Sequence, residues 1–165
     1  MNSNQDQTFT LDLSLIRFAI NAARSAQAAY GRAYFEWRDE SSIQIETIAQ
    51  LRLCHSRMQQ TLEARLIEAE QKLPEPDEQT GPFADDPRAT LFGIEQQLAF
   101  DYLKESDLKL ADFYLEKANA LGLGKSYLEN WIQDMDKAHQ RLEKRAAPRK
   151  EKPSDDGPSR VAACS

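Results

Sequence analysis

The chain has 165 residues, of which 41% are hydrophobic and 29% are charged, and its formal net charge is -6. This length and composition suit one globular domain with a substantial core, and the acidic balance argues against non-specific binding to nucleic-acid phosphates. Because the chain has only 6 glycines and long stretches without proline, it favours an all-α fold over a β fold with many turns.

The N-terminal segment, residues 1–9, is polar and is predicted to be flexible. It contains no Lys, no Arg and no apolar run, and no stretch of the chain approaches the roughly 20 apolar residues of a membrane span. We therefore expect a cytoplasmic protein. Cys54 and Cys164 are poorly placed for a structural disulfide, which fits that compartment.

A first helix is predicted from its N-cap residue Thr10 to about Asp39. Its apolar positions alternate in steps of three and four residues, the pattern of helices packed side by side. The seam consists of Ile16, Ala19, Ala23, Ala26, Tyr30, Ala33 and Trp37. Because most of these side chains are small, a second helix should approach closely. We favour a helix of the same chain as the partner; the alternative is a homodimer through this alanine seam.

A second helix is predicted from about Ile43 to Leu73, after a capping box formed by Ser41 and Gln44. A single bent helix over both segments is the alternative, but a rod of about 94 Å would need another chain to bury its seam. A long helical hairpin over 10–73 is therefore the favoured interpretation. The seam of the second helix consists of Ile45, Ile48, Leu51, His55, Met58, Leu62, Leu66, Ala69 and Leu73.

Residues 74–87 form an acidic, proline-rich loop that ends the second helix and is the expected hinge. Asp86 and Pro87 are predicted to open a third helix that ends near Glu105. Ser106 is predicted to cap a fourth helix.

The predicted fourth helix ends at Gly122, and a fifth follows from about Lys125 to Ala147. The seam of the fifth helix consists of Leu128, Trp131, Met135, Ala138 and Leu142. Residues 88–147 would then form a compact three-helix part. The tail, 148–165, has almost no bulky apolar residue and is predicted to be disordered.

Few residues of the sequence are candidates for catalysis or metal binding. The sequence has no glycine-rich phosphate loop and no nucleophile elbow. Cys54 and His55 are adjacent, and on a helix they point about 100° apart, so they do not form a dyad. Asp136 and His139 form one i, i+3 pair, whereas a di-metal bundle needs a second such pair. We therefore expect His55 to be satisfied in the seam and the Asp136–His139 pair to be solvated, with no catalytic residue, metal or cofactor.

The first helix carries a basic stripe of Arg17, Arg24, Arg32 and Arg38, spaced six to eight residues apart. These arginines either pair within the chain or contact an acidic partner, and they are our partner-binding candidates. The expected function is a non-enzymatic protein–protein interaction module, such as an adaptor, a chaperone, an immunity-like protein or a regulator. The alternatives are a DNA-associated regulator that uses this stripe and an enzyme with a carboxylate-only site.

Residues 92–125 resemble a tetratricopeptide repeat, a family whose unit pairs two helices with small and aromatic residues at fixed positions. The matching positions are Leu98, Ala99, Tyr102, Ala111, Leu115 and Ala118. Glu95 stands at the early tryptophan position and Gly122 near the closing proline. The resemblance implies a helical hairpin of that style. It does not imply peptide binding, because such a groove needs at least about three units and one is visible.

Overall fold

The computed structural model describes residues 8–39, 42–77, 79–84 and 95–145. Within these ranges the chain forms five α-helices and no β-strand, which confirms the all-α prediction. The helices are α1 Leu13–Glu36, α2 Ser42–Glu68, α3 Gln96–Glu116, α4 Ala118–Leu121 and α5 Lys125–Arg145. None of the described helices combines the length and the apolar composition needed to cross a bilayer. Residues 1–7 and the predicted tail lie outside the described residues.

The first helix begins two residues later than predicted, and its cap is Asp12 rather than Thr10. Asp12 is extended, and its Oδ1 accepts the backbone N–H of Leu15 at 3.1 Å. The backbone N–H of Thr10 donates instead to Asn119 Oδ1 at 2.8 Å, and that of Asp12 donates to the Ala120 carbonyl at 2.9 Å. These bonds hold the entry segment against α4, so the first helical turn begins only after it.

Helices α1 and α2 form the predicted hairpin. Arg24 pairs with Glu63 at 3.7 Å, and Gln27 Nε2 donates to Gln59 Oε1 at 2.6 Å. Residue numbers rise along α1 as they fall along α2, so the two helices are antiparallel. All seven predicted seam residues of the first helix are buried. The seam is therefore covered by this chain's own residues, as the favoured interpretation expected.

The second helix ends at Glu68, five residues earlier than predicted. Glu70 adopts a φ of 57°, in the left-handed region, and the N–H of Gln71 donates to the Leu66 carbonyl at 2.9 Å. This bond closes the helix end as a Schellman turn does. Leu73, predicted as the last seam position, is consequently exposed. At the other end, Ser41 of the predicted capping box lies outside the described residues, and the side-chain amide of Gln44 donates to Gln96.

The described part of the acidic loop is fastened to α1. Asn21 Nδ2 donates to the Glu75 carbonyl at 3.2 Å, and Ser25 Oγ accepts the backbone N–H of Thr80 at 2.9 Å. Phe83 is buried in the core, and its carbonyl accepts the Tyr102 hydroxyl at 2.5 Å. The described residues of the loop up to residue 84 therefore pack along α1, and the role of the loop as a hinge stays a prediction. The predicted start of the third helix at Asp86-Pro87 lies outside the described residues.

The predicted helix break at Ser106 is wrong, because α3 runs through it without interruption. Ser106 and its neighbour Asp107 are buried, and Asp107 binds side chains of three other helices. These tertiary contacts outweigh the preference of serine for a cap, which is worth about 1 kcal/mol. As a result, the positions that resemble a tetratricopeptide repeat up to Leu115 lie on one continuous helix, and no hairpin turn separates them.

The C-terminal helices pack on the hairpin in a single core. Gly122 has a φ of 72° and ends α4 as predicted, while α5 begins at Lys125 and buries all five predicted seam residues. The buried apolar side chains of α1, α2, α3 and α5 form one continuous cluster that includes Phe83. The hairpin and the following helices therefore share one core.

Candidate functional site

The chemistry-bearing side chains of the core converge on Asp107, in the middle of α3. Its Oδ1 lies 2.7 Å from His55 Nε2 on α2, and its Oδ2 lies 2.6 Å from His139 Nε2 on α5. Tyr30 on α1 donates its hydroxyl to the same Oδ2 at 2.5 Å. All four side chains are buried. This core polar cluster, Tyr30, His55, Asp107 and His139, thus connects four helices through one carboxyl group.

The protonation states of the cluster follow from its donors and acceptors. A carboxylate only accepts hydrogen bonds, so each imidazole carries a proton on Nε2. Burial alone would raise the pKa of Asp107, but the imidazoles of His55 and His139 outweigh it and hold that pKa well below its usual range. Burial and the charge of Asp107 raise the pKa of Tyr30, which therefore stays a donor. The cluster holds the carboxylate in its charged form and closes it off from solvent.

The sequence correctly predicted the environment of one of the two histidines, His55. His55 is buried in the seam with its Nε2 satisfied, as predicted. The prediction that Asp136 and His139 are both solvated is wrong for His139. Asp136 is exposed, whereas His139 follows the buried Ala138 and lies in the core. Asp107 was missed altogether.

A signal for Asp107 was present in the sequence. It stands four residues after Leu103 and three before Leu110, which places it on the apolar face of the helix. A carboxylate in that position needs buried donors, and the two histidines were the natural candidates.

Cys54 does not form a catalytic pair with its neighbour. The imidazole of His55 is directed to Asp107, and burial raises the pKa of the Cys54 thiol to about 11. The backbone carbonyl of Cys54 accepts a hydrogen bond from Trp131 Nε1 at 2.8 Å. This bond ties α2 to α5 directly, and Cys54 also lines a depression between these two helices.

The predicted basic stripe on α1 makes contacts within the chain. Arg17 donates to Gln71 Oε1 at 3.0 Å, and Arg24 donates to the Pro74 carbonyl at 3.2 Å in addition to its ion pair. Arg38 donates to the carbonyl of Phe35 and lies over its ring, while Arg32 is half-buried. The first two arginines therefore fasten the end of α2 and the following loop to α1.

A cleft of about 520 Å³ opens between α1 and α2. Tyr34 and Leu53, 43% and 45% exposed, lie at its rim. The guanidinium of Arg52 also lines it and packs over Gly31, 3.5 Å from the position that a Cβ would take there. The size and apolar lining are those of a ligand or side-chain pocket.

A second depression of about 310 Å³ lies between α2 and α5. It is lined by the cationic side chains of Arg57, Lys137 and Arg141, by the carboxylate of Asp134, and by Leu53. We call it the basic groove. Since Leu53 lines both depressions, the apolar cleft and the basic groove are adjacent on one face of the molecule.

Among the described residues, no group of three or more His, Cys, Asp or Glu side chains is arranged to hold a metal ion. In the core polar cluster both Nε2 atoms face the carboxylate itself, which leaves no shared space for a cation. Comparison of the chain with protein-family models, with curated proteins and with solved structures finds no match.

Proposed function

We propose that this chain is a non-enzymatic protein–protein interaction module that contacts its partner through the exposed face around Leu53. The observation that carries the proposal is the pairing of two depressions on either side of one half-exposed leucine. Interfaces concentrate their binding energy in a few residues, most often Trp, Tyr and Arg, and Tyr34 and Arg52 line the cleft beside Leu53. Isolated exposed leucines need no such explanation, but this one forms part of both concave sites.

The core polar cluster supports a role other than catalysis. The Asp107 carboxylate and both imidazoles are buried among four helices, and the Nε2 atoms of His55 and His139 are directed at the carboxylate oxygens. A general acid or base must reach a proton of its substrate, which these atoms do not in this arrangement. Cys54, with its pKa raised to about 11, stays a protonated thiol and a weak nucleophile.

The structure favours a different contact surface from the one that the sequence suggested. Arg17 and Arg24 are engaged in holding the loop and the hairpin, so binding a partner through them would break those contacts. On the face around Leu53, the side chains of Arg57 and Lys137 have no hydrogen-bond or ion-pair partner among the described residues, and Arg141 donates one bond, to Gln50. This face therefore replaces the α1 stripe as our candidate surface for a protein partner.

Site-specific photo-crosslinking tests this proposal. A photoreactive amino acid replaces Leu53 in one variant and Leu115 of α3 in a matched control, because Leu115 is exposed to a similar extent, 51%. Both variants are expressed in the protein's native cells and irradiated. We expect a discrete adduct from position 53 that position 115 does not give. The same adducts from both positions, or none from position 53, would refute the proposed surface.

A further inference from the structure

The cations of the basic groove are available to a ligand. The guanidinium of Arg57 and the ammonium of Lys137 form no hydrogen bond or ion pair with any described residue, although Asp134 lines the same groove. Arg141 donates to the neutral amide of Gln50 at 2.5 Å, which leaves its charge uncompensated. Three cations and one carboxylate give the groove a net charge of +2, on a chain whose net charge is -6.

The adjoining cleft adds one more cationic side chain without a partner, next to an apolar surface. Arg52 is exposed and, like Arg57, has no hydrogen-bond or ion-pair partner among the described residues. Leu53 stands between the two arginines and lines both depressions, and Tyr34 extends the apolar rim on the α1 side. A ligand that follows this face thus meets apolar and positively charged positions in alternation.

From this surface we infer that the partner docks an acidic amphipathic segment, with apolar side chains against Leu53 and Tyr34 and carboxylates on Arg57, Lys137 and Arg141. The inference rests on the proposed function and specifies the chemistry of the partner. A helix supplies such a pattern, because residues three and four apart lie on one face. Opposite charges across the interface accelerate association and select against basic partners.

Nucleic acid fits the same surface less well. A phosphate backbone is bound by a series of basic residues, whereas α5 presents the exposed carboxylates of Asp134 and Asp136 within three residues of Lys137. These acids repel phosphates along the helix. A peptide, in contrast, places its charges only where the cations lie.

Fluorescence anisotropy with a synthetic probe tests the inference. The probe is a labelled peptide of about 16 residues, roughly four helical turns, with Leu on one face and Glu on the flanks. A peptide of the same composition in scrambled order and a single-stranded DNA of similar length serve as comparison ligands. The protein is the full chain, either wild type, Leu53→Ser, or the double variant Arg57→Glu with Lys137→Glu. A charge-matched control reverses Lys109 and Lys125, two exposed lysines outside the groove.

We expect the amphipathic peptide to bind the wild type more tightly than either comparison ligand. Both groove variants should lose about ten-fold or more in affinity, and the control should lose far less. Raising the ionic strength should weaken binding. Absence of peptide binding, equal losses in groove and control variants, or a preference for DNA would each overturn the inference. A crosslink from position 53 that persists in the groove double variant would leave the interaction surface standing while refuting the acidic partner.

Discussion

Replacing Asp107 by Asn removes one negative charge from the core and keeps the shape of the side chain. In the wild type, three donors converge on the two carboxylate oxygens: Tyr30 and His139 on Oδ2, and His55 on Oδ1. Asn offers one oxygen, and its amide nitrogen is itself a donor. One side of the cluster then has donors facing each other in a buried site.

A change of imidazole tautomer does not repair this loss at His55. The His55 Nδ1 atom is buried and has no hydrogen-bond partner in the described part of the chain. If the proton moved to Nδ1, it would become a buried donor without an acceptor. Breaking a buried, charged hydrogen-bonded group by removing one partner costs about 3–5 kcal/mol. For a chain of 165 residues, this corresponds to a fall in melting temperature of about 6–20 °C.

Chemical denaturation monitored by circular dichroism measures the free energy of unfolding of wild type and Asp107→Asn. The control is Asp136→Asn on the exposed side of α5, which should change stability by less than about 0.5 kcal/mol. A loss of under about 1 kcal/mol for Asp107→Asn would refute the claim that the carboxylate organises the core.

The carboxylate of Asp107 should make the free energy of unfolding depend on pH in the acidic range. Its pKa in the folded state is depressed, whereas in the unfolded chain it lies near the ordinary value of about 3.9. Below about pH 5 the unfolded state therefore binds the proton more readily, and stability falls as the pH falls through this window. Above that range the contribution of Asp107 is fully present. Asp107→Asn should flatten the acid limb of the stability profile.

Three further substitutions test the packing. Tyr30→Phe removes the phenolic donor to Asp107 and keeps the ring, so the free energy of unfolding should fall by about 1–2 kcal/mol; no measurable change would show that this bond contributes nothing. Ala23→Leu inserts a bulky side chain into the buried α1 seam and should cost about 1–3 kcal/mol without altering oligomeric state. Light scattering decides the second point, and a wild-type dimer that this change splits into folded monomers would show the seam to be intermolecular. Trp131→Phe removes the bond to the Cys54 carbonyl and should cost about 1 kcal/mol in denaturant unfolding, whereas an unchanged midpoint would deny that this bond ties α2 to α5.

The sequence predicted those elements whose apolar periodicity agrees with their packing. The α1 seam and the α5 seam are buried at every predicted position, because long runs with regular spacing determine which face meets the core. Among the predicted helices, the errors lie at the predicted ends. Ser106 and Thr10 have the residue types of caps, but whether a residue caps depends on contacts from distant parts of the chain.

The polar interior was harder to predict than the apolar one. The sequence shows that His55 and Asp107 each lie on an apolar face. It does not show that residues 52 positions apart face each other, since that depends on how α2 and α3 are placed in the fold. The basic groove was hard to predict for the same reason, because its residues come from two helices that are distant in sequence. Lys137 and Arg141 are i, i+4 neighbours on α5, but Arg57 joins them only through the packing of α2 against α5.

The buried cluster and the exposed groove are connected through the two helices that they share. Arg57 follows His55 by two residues and Lys137 precedes His139 by two, and two residues on an α-helix are about 200° apart. The cations therefore project on the side opposite the imidazoles. Because both imidazoles bind one carboxylate, Asp107 joins α2 to α5, in addition to the direct bond from Trp131 to the Cys54 carbonyl. An apolar core of equal volume can match a buried polar group in stability, whereas the bonds to Asp107 are directional and form only when α2 and α5 keep these positions relative to α3. The polar core and the groove thus depend on the same packing of α2 against α5.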